Sequence, residues 1–354
     1  MTCPVPYVAA MAPYTLADLG GDLISMAQNE SAFPPSPKAL AAAQDALTQT
    51  QLYPDPDWVD LRQAIAETHQ LDPDMILCGA GSMELTGCLI RAYAGDGRAV
   101  LGTEYGYAFV ASAALQAQAV YRQVPESGLT VSIDAILDNV TPDVAVVLLC
   151  NPGNPTGTMV PSVEVLRLRA DLPEHVLLVV DQAYAEFCDA SNDPSGIFAL
   201  AQRGDTVILR TFSKAYGLAG ARVGWGCFPP AIAAQVRKLL NPNNIAAVSQ
   251  MMAAAAMRDR AHMQEIVRRT EAIRNPFASR CRALGLDVPH SHTNFVLLRF
   301  GSVDQAAEVD QALRRAGLLM RGMAGYGLPD CLRATICDAA VMERALSILK
   351  EALS

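Results

Sequence analysis

Lys214 lies in the stretch of this sequence that is best suited to chemistry. An apolar run at 207–209 leads into the hydroxyl residues Thr211 and Ser213, then Lys214, then a glycine-rich segment that ends at Arg222. Lysine condenses reversibly with aldehydes, and a lysine that is desolvated or lies beside another cation loses its proton readily. The two hydroxyls and Arg222 are suited to a phosphate. The pattern predicts a strand that delivers a lysine to a binding site.

A lysine beside a phosphate pocket is an arrangement that holds pyridoxal 5′-phosphate as a Schiff base. Lysines at strand edges are more often solvated charges, so this stretch alone leaves both interpretations open. Residues elsewhere in the chain are needed to distinguish a cofactor-binding lysine from a solvated one.

The composition predicts a globular protein with a large core. The chain has 354 residues, which favours two domains, and 51% of them are hydrophobic while 18% are charged. The net charge of −9, without a cluster of Lys and Arg, argues against nucleic-acid binding. The nine cysteines form no Cys-x-x-Cys and predict reduced thiols rather than disulfides or a zinc ribbon.

The sequence predicts neither an export signal nor a membrane segment. No lysine or arginine precedes Lys38, so the basic region of a signal peptide is missing. The apolar stretch 245–257 is interrupted by Ser249 and Gln250 and is too short to span a bilayer. We therefore expect a cytoplasmic protein.

Short apolar runs alternate with helical patterns, which predicts a parallel sheet with right-handed crossovers. Ligands bind at the carboxyl ends of such strands. Four segments follow predicted strands: 79–82, 151–157, 181–184 and 211–214. In the first of these, a glycine turn opens a helix, as in anion sites. Glu84 stands where a dinucleotide fingerprint needs its third glycine, so phosphate binding fits and nicotinamide binding does not.

Three parts are predicted along the chain. Residues 1–35, rich in proline and small residues, are expected to form an N-terminal arm. Residues 36–240 are expected to form a large domain, and residues 241–354 a smaller α/β domain with fewer strands. No internal repeat is present.

Four motifs resemble those of the fold-type I pyridoxal-phosphate-dependent aminotransferases of classes I and II, and within them the histidinol-phosphate aminotransferase group. They are Tyr53-Pro-Asp-Pro, Asn154-Pro155-Thr156-Gly157, Asp181-x-Ala183-Tyr184 and the run from Ser213 to Arg222. The resemblance extends over nearly the whole chain. It implies a mostly parallel, seven-stranded-type α/β sheet sandwiched by helices, with a smaller α/β domain and an N-terminal arm.

The resemblance also implies pyridoxal 5′-phosphate as the cofactor and a role for each motif residue. Lys214 is expected to form the Schiff base and move a proton, Asp181 to pair with the pyridine nitrogen, and Tyr184 to bond the phenolic oxygen. These three are the expected catalytic residues. Further cofactor contacts are expected from Gly81, Ser82, Met83, Tyr105, Asn154, Thr211, Ser213 and Arg222. Tyr53 is expected to reach the phosphate from the other subunit of a homodimer.

Structural roles stay open for several of these residues. Asp181 also suits a helix cap, Asn154 a turn, and Tyr105 a core aromatic. Arg333 lies in an otherwise apolar strand, where a guanidinium needs an anion. The resemblance implies the substrate α-carboxylate as that anion, and a buried salt bridge is the alternative.

Other substrate contacts follow from the resemblance. Arg321 and Tyr14 match positions that bind the distal phosphate of histidinol phosphate, although a surface ion pair is the alternative for Arg321. Asn154 is expected to contact the substrate as well as the cofactor. His290 and His292 lack carboxylate or thiolate neighbours, so no metal is expected.

The expected reaction is amino transfer between histidinol phosphate and 2-oxoglutarate in two half reactions, as in histidine biosynthesis. An aromatic amino acid aminotransferase, a decarboxylase or lyase of the same fold, and a non-enzymatic cofactor-binding module are the alternatives. The sequence departs from the family pattern in the loop containing Ser31, Ala32 and Pro34, which faces the substrate, and at Met83 and Gln182, where acidic residues are usual. The amino donor therefore stays open.

Overall fold

The structure, a computed structural model, describes residues 2–9, 11, 21–188 and 194–354. Tyr14, with residues 1, 10, 12, 13 and 15–20 of the predicted N-terminal arm, therefore lies outside the described residues. The rest of the chain forms two sheets and the helices that pack on them.

The strands are numbered in chain order. They are β1 (Ile24–Met26), β2 (Ile76–Gly79), β3 (Ala99–Thr103), β4 (Val120–Val124), β5 (Val144–Cys150), β6 (Leu177–Asp181), β7 (Thr206–Thr211), β8 (Gly224–Cys227), β9 (Phe295–Arg299), β10 (Leu318–Met323) and β11 (Leu328–Thr335).

The helices are numbered in the same way. They are α1 (Pro6–Ala9), α2 (Pro37–Leu47), α3 (Val59–His69), α4 (Ser82–Tyr93), α5 (Phe109–Gln116), α6 (Ile133–Asp138), α7 (Ser162–Asp171), α8 (Phe198–Ala201), α9 (Pro230–Arg237), α10 (Ala247–Arg258), α11 (Arg260–Ala283), α12 (Val303–Arg315) and α13 (Ala339–Ala352). Short 3-10 helices cover Pro73–Met75, Ala185–Phe187, Pro194–Ile197, Ala219–Ala221 and Ala324–Tyr326.

The larger sheet has seven strands in the order β2-β8-β7-β6-β5-β3-β4. Neighbouring strands from β7 to β4 run parallel, whereas β8 is antiparallel to both β2 and β7. Every residue of β5, β6 and β7 is buried, because helices cover both faces. The prediction of a mostly parallel seven-stranded sheet is confirmed. The antiparallel strand β8 was not predicted, since its glycine-rich sequence carries no strand pattern.

The smaller sheet has the order β1-β10-β11-β9. Strands β9, β10 and β11 are antiparallel, and β1 adds to β10 in parallel through Ile24–Met26. Part of the segment predicted as an arm is therefore an edge strand of this sheet. Three residues are too few for a periodic pattern, so the sequence did not reveal it.

The sequence of residues 245–273 predicts one long helical stretch, but the structure has two helices there, α10 and α11, which meet at Asp259. The Asp259 carboxylate accepts hydrogen bonds from the Ser36 hydroxyl at 2.5 Å and from Lys38 Nζ at 3.0 Å. Ser36 also caps α2 by accepting from the Lys38 backbone N–H, as the Ser-Pro pair predicts. The break in the helix thus fixes the start of α2.

Two hydrophobic cores support the two sheets. The larger core includes Ala253, Ala254 and Met257 of α10, and the smaller core includes Phe277 and Cys281 near the end of α11. The domain division at residue 241 stays a prediction. We propose that α11 is the connecting element, because its two ends pack on different cores.

No helix within the described ranges is both long and apolar enough to cross a membrane.

Candidate active site

The carboxyl ends of three neighbouring strands bring the predicted residues together. Asp181 is the last residue of β6 and lies opposite Cys150 of β5 and Leu209 of β7. Lys214 is the third residue after the end of β7. The sheet register thus places the acid and the lysine at one edge, as the strand pattern predicts.

Gly224 is the floor of the predicted phosphate pocket. It pairs with Gly79 of β2 on one side and with Thr211 of β7 on the other, so three strands meet at one level. A Cβ atom at residue 224 would lie 2.2 Å from the Ser82 backbone nitrogen and 2.5 Å from the Gly81 carbonyl carbon. The loop that opens α4 therefore rests directly on β8, which only glycine permits.

The pocket contains several donors for an anion. Helix α4 begins after Gly81 without a side-chain cap, which leaves backbone N–H groups available for a phosphate. The Thr211 hydroxyl donates to Ser213 Oγ at 3.0 Å, and Arg222 Nη1 lies 3.5 Å from that Oγ. Arg222 Nη2 lies 2.6 Å from the place a Cβ at Gly81 would occupy, so the guanidinium lies directly over the loop.

Lys214 is held by backbone of the N-terminal segment. Its Nζ donates to the Asn29 carbonyl at 2.9 Å and to the Gln28 carbonyl at 3.4 Å, and lies 5.7 Å from the centre of the Tyr184 ring. Burial, and secondarily the positive charge of Arg333, lower the pKa of Lys214 to about 7. A substantial fraction of the amine is therefore neutral near neutral pH, which is what nucleophilic attack on an aldehyde requires.

Asp181 is a buried carboxylate whose backbone partner is close by. It is 7% exposed, and its Oδ1 accepts from the Ala183 backbone N–H at 3.0 Å. Burial raises the pKa of Asp181 to about 6, although the hydrogen bond from Ala183 and the charge of Lys214 act in the opposite direction. A cation placed against this carboxylate would restore its ionisation, as pairing with a protonated ring nitrogen does.

Asn29 is a site residue that the sequence analysis did not assign. Its Nδ2 donates to the Tyr184 hydroxyl oxygen at 2.8 Å, and its backbone N–H donates to Thr335 Oγ1 at 2.9 Å. Asn294 Nδ2 donates to the Asn29 backbone carbonyl at 3.1 Å. Asn29 has a φ of 55°, a left-handed conformation that asparagine adopts more readily than most residues. The run of polar residues 28–31 was the available signal in the sequence, but the contacts of Asn29 come from segments far away along the chain.

Arg333 lies in β11, 3% exposed, and points toward Asn154. Its Nη1 donates to Asn154 Oδ1, its Nη2 donates to the Ala27 carbonyl at 2.8 Å, and its Cζ lies 5.2 Å from the centre of the Phe295 ring. Arg321 of β10 is its register partner, and the Arg321 guanidinium lies 6.0 Å from the Tyr326 ring. The structure thus brings together Asn154, Arg321 and Arg333.

Three other residues that were expected to contact the cofactor have different surroundings in this chain. Met83 uses its sulfur to accept from the Tyr107 hydroxyl at 3.1 Å. Tyr105, which follows β3 and is half-buried, packs against a small cluster that includes Leu297. Tyr53 is 89% exposed, and the chain alone brings its side chain against none of the residues above.

The loop before α4 has a second support that was not predicted. Glu84 Oε2 accepts from the Ala80 backbone N–H at 2.7 Å and from Asn244 Nδ2 at 2.6 Å. Glu84, which breaks the dinucleotide pattern in the sequence, therefore ties this loop to the segment before α10.

No group of three or more metal-ligating side chains occurs among the residues that the structure describes. The rings of His290 and His292 pack edge to face with centroids 4.6 Å apart.

The donor set fits pyridoxal 5′-phosphate. A buried carboxylate, a lysine of low pKa and a cradle of hydroxyls, guanidinium and helix N-terminus match its ring nitrogen, its aldehyde and its phosphate. Asp181, Lys214, Thr211, Ser213 and Arg222 would hold these three groups.

Comparisons with known proteins agree with this geometry. The family model described as aminotransferase class I and II matches residues 21–349. The histidinol-phosphate aminotransferase of Rhodopseudomonas palustris strain BisB18 is 40% identical over 94% of this chain and 93% of its own length. That of Rhodospirillum centenum is 39% identical over 98% of this chain and 97% of its own.

A solved structure of similar shape extends the likeness to the fold. The histidinol-phosphate aminotransferase of Sinorhizobium meliloti, in complex with pyridoxal-5′-phosphate, superposes with a TM-score of 0.93 at 28% identity, covering 100% of this chain and 98% of that one. The predicted fold type I architecture is thereby confirmed. This chain belongs to the class I and II aminotransferase family.

Proposed function

We propose that this protein is a pyridoxal-phosphate-dependent aminotransferase that moves an amino group between histidinol phosphate and 2-oxoglutarate, a step of histidine biosynthesis. The observation that carries the proposal is the meeting, at one sheet edge, of Lys214 with a pKa of about 7, the buried Asp181 and the phosphate cradle. The relatives that the chain matches over nearly their full length carry the same activity in their names.

Pyridoxal 5′-phosphate, when bound, supplies the aldehyde that takes up an amine and the ring that takes up electrons as the substrate Cα loses its proton. The chain's residues bind and orient it. Asp181 would keep the ring nitrogen protonated, and Tyr184 and Asn154 would donate toward the phenolic oxygen. The hydroxyls of Thr211 and Ser213 and the Arg222 guanidinium would bind the phosphate. Gly81, Ser82 and Met83 at the start of α4 add backbone donors, and Tyr105 covers the ring.

Lys214 handles the proton of the reaction. Burial and the charge of Arg333 lower the pKa of Lys214 to about 7, so the neutral amine that a base near the substrate Cα requires would be present near neutral pH. Lys214 would therefore accept the proton from the substrate Cα and hold it for the transfer that completes the half reaction. The carbonyls of Gln28 and Asn29 hold its Nζ on the side of the N-terminal segment.

Two arginines suit the two kinds of substrate. Glutamate carries an α-carboxylate on Cα, whereas histidinol phosphate carries in that place a phosphate ester on a longer arm. Arg333 alone matches the carboxylate, with its planar fork. Arg321, its neighbour across the strands, extends the positive surface toward the larger dianion. Tyr14 is proposed to bind the same phosphate.

A homodimer completes the site in this proposal. Tyr53 is 89% exposed, and the apolar side chains of Leu47, Leu52 and Val59 near it are 59–62% exposed. A surface of this kind suits burial against a second copy. Tyr53 would then reach the partner's phosphate pocket.

The enzyme is proposed to work in the cytoplasm. Its cysteines are free thiols, and six of them are buried.

Absorbance spectroscopy tests the cofactor part of the proposal. Protein mixed with pyridoxal 5′-phosphate should develop the visible band of the lysine-linked cofactor, and Lys214→Ala should not. A wild-type protein that stays colourless contradicts the proposal.

A single-turnover panel tests the substrate. Loaded protein is mixed with histidinol phosphate, glutamate, phenylalanine or threonine phosphate, and loss of the visible band is followed. We expect histidinol phosphate and glutamate to react and phenylalanine to react much more slowly. Fast reaction of phenylalanine without histidinol phosphate would indicate an aromatic aminotransferase, and carbon dioxide release would indicate a lyase.

A further inference from the structure

The side-chain amide of Asn29 has a fixed orientation. The Asn29 backbone N–H donates to Thr335 Oγ1 at 2.9 Å, so the Thr335 hydroxyl proton is directed elsewhere. Thr335 Oγ1 donates it to Asn29 Oδ1 at 3.2 Å. Because Oδ1 is thereby used as an acceptor, the amide presents its Nδ2 hydrogens to the other side. There Nδ2 donates to the Tyr184 hydroxyl oxygen at 2.8 Å.

This contact decides the direction of the Tyr184 proton. A phenol has one proton to donate, and its oxygen here accepts a hydrogen bond from Asn29. Burial raises the pKa of Tyr184 well above its usual value, so the hydroxyl stays protonated. The ring is fixed edge to face on Phe295, with centroids 5.3 Å apart. Because the Tyr184 oxygen accepts a hydrogen bond from Asn29, the hydroxyl proton is available to another acceptor.

We propose that Asn29 is a positioning residue that makes Tyr184 a hydrogen-bond donor toward the cofactor's phenolic oxygen. The inference rests on the proposed function, since it concerns the cofactor named there. Negative charge on the phenolic oxygen stabilises the proton on the nitrogen that would join Lys214 to the cofactor. A hydrogen-bond donor at that oxygen reduces this charge, so it lowers the pKa of that nitrogen. Asn29 thereby sets the pH at which the loaded enzyme reacts, without touching the substrate.

Three variants separate this role from a structural one. Asn29→Gly removes the amide and tolerates the φ of 55°, while the carbonyl that holds Lys214 and the N–H that meets Thr335 remain. Thr335→Val removes the hydroxyl that fixes the amide, so the amide can turn its oxygen to Tyr184. Tyr184→Phe removes the donor itself.

The readout is the pH midpoint of the visible absorbance change of the loaded protein. The charged and titratable groups that face Tyr184 are Asp181 and Cys150 on neighbouring strands, Lys214 after β7 and Arg333 of β11. All three variants leave these groups in place. A shift in the midpoint therefore reports the Tyr184 hydrogen bond.

We expect Tyr184→Phe to raise the midpoint by about 1–2 pH units, the size of a lost hydrogen bond to a charged group. Asn29→Gly should raise it by about half as much, and Thr335→Val should raise it in the same direction. In the Tyr184→Phe background, Asn29→Gly should add nothing. Circular dichroism and thermal unfolding of the cofactor-free proteins check that each variant folds.

An unchanged midpoint in a folded Asn29→Gly protein would overturn the inference, and so would an equal shift in the Tyr184→Phe background. If Asn29→Gly does not fold, Thr335→Val carries the test with the same two outcomes. Wild-type protein that forms no visible band contradicts the proposed function instead, so the two failures are distinguishable.

Discussion

Arg321 and Arg333 lie directly opposite each other across the antiparallel strands β10 and β11. Side chains so paired have Cβ atoms about 5 Å apart, and like charges in this arrangement destabilise a sheet. Arg333 is buried while Arg321 is half-buried, so water screens this repulsion only in part. The arrangement costs stability unless an anion lies between the two guanidinium groups.

The first prediction concerns which substrate each of these arginines binds. Arg321→Gln should raise KM for histidinol phosphate by about 10–100-fold, the value of one charge-assisted hydrogen bond, and change KM for glutamate much less. Arg333→Gln should impair both substrates. Steady-state kinetics of both half reactions measure this.

Arg315→Gln is the control for the loss of one positive charge, since Arg315 is exposed on α12. It should leave both KM values unchanged. Equal losses for the two substrates in Arg321→Gln would refute a phosphate-specific role. Because one of two like charges is removed, the cofactor-free Arg321→Gln protein should melt no lower than the wild type.

A second prediction follows from the low pKa of Lys214. Only the neutral amine attacks an aldehyde, so the rate of cofactor uptake should rise about tenfold per pH unit below pH 7 and level off above it. Arg333 is the largest cause of the lowering after burial. Arg333→Gln should therefore move the midpoint upward. Stopped-flow absorbance gives the rates, and a rate that is flat from pH 5.5 to about pH 8.5 would contradict the assignment of a near-neutral lysine.

A third prediction concerns the floor of the phosphate pocket. Gly224→Ala would place a methyl group 2.2 Å from the Ser82 nitrogen, so the loop before α4 must move. We expect the affinity for pyridoxal 5′-phosphate to fall by at least about 100-fold, because several phosphate donors shift together. Equilibrium dialysis measures it. Gly220→Ala is the matched control, since a Cβ there meets nothing within 4 Å; a comparable loss in that variant would show that the clash is not the cause.

A fourth prediction concerns a buried ion pair beneath the site. Arg210 Nη1 lies 3.2 Å from Glu186 Oε1, their side chains are 4% and 6% exposed, and Arg210 Nε donates to Gln182 Oε1 at 3.0 Å. Gln182 stands where the family usually has an acid, so Glu186 is the group that neutralises Arg210. Glu186→Gln should lower the free energy of unfolding by about 3 kcal/mol, because the guanidinium loses its counter-charge.

Urea denaturation of the cofactor-free protein measures this loss. The control is Glu265→Gln, which breaks the exposed pair with Arg268 and should lower the free energy of unfolding much less, because water already screens this pair. Losses of similar size in the two variants would contradict the role of burial.

The parts of the site that could be predicted from the sequence are those that follow strands. Asp181 follows the apolar run 176–180, and Lys214 lies a few residues after the shorter run 207–209. Parallel strands bring their carboxyl ends to one edge whatever the details of packing. Family motifs then supplied their roles. Local pattern and strand direction were therefore sufficient to predict where these two residues lie, but not to assign their roles.

The parts that were missed depend on contacts between distant segments. Asn29 meets Thr335 and Tyr184 across separations of 306 and 155 residues, which no local pattern records. Gly224 matters because of how closely β8 approaches another backbone, and the sequence shows only a glycine. The strand β1 owes its existence to β10, since three residues do not form a strand alone.

The pairing of β1 with β10 links the smaller sheet to the backbone that holds Lys214. The peptide that continues from β1 offers the Ala27 carbonyl to Arg333 and the Gln28 and Asn29 carbonyls to Lys214. Any rotation of the smaller sheet toward an anion held by Arg333 would carry these carbonyls with it. Binding of the substrate's charge and release of Lys214 from these carbonyls would then be coupled through the six backbone residues from 24 to 29.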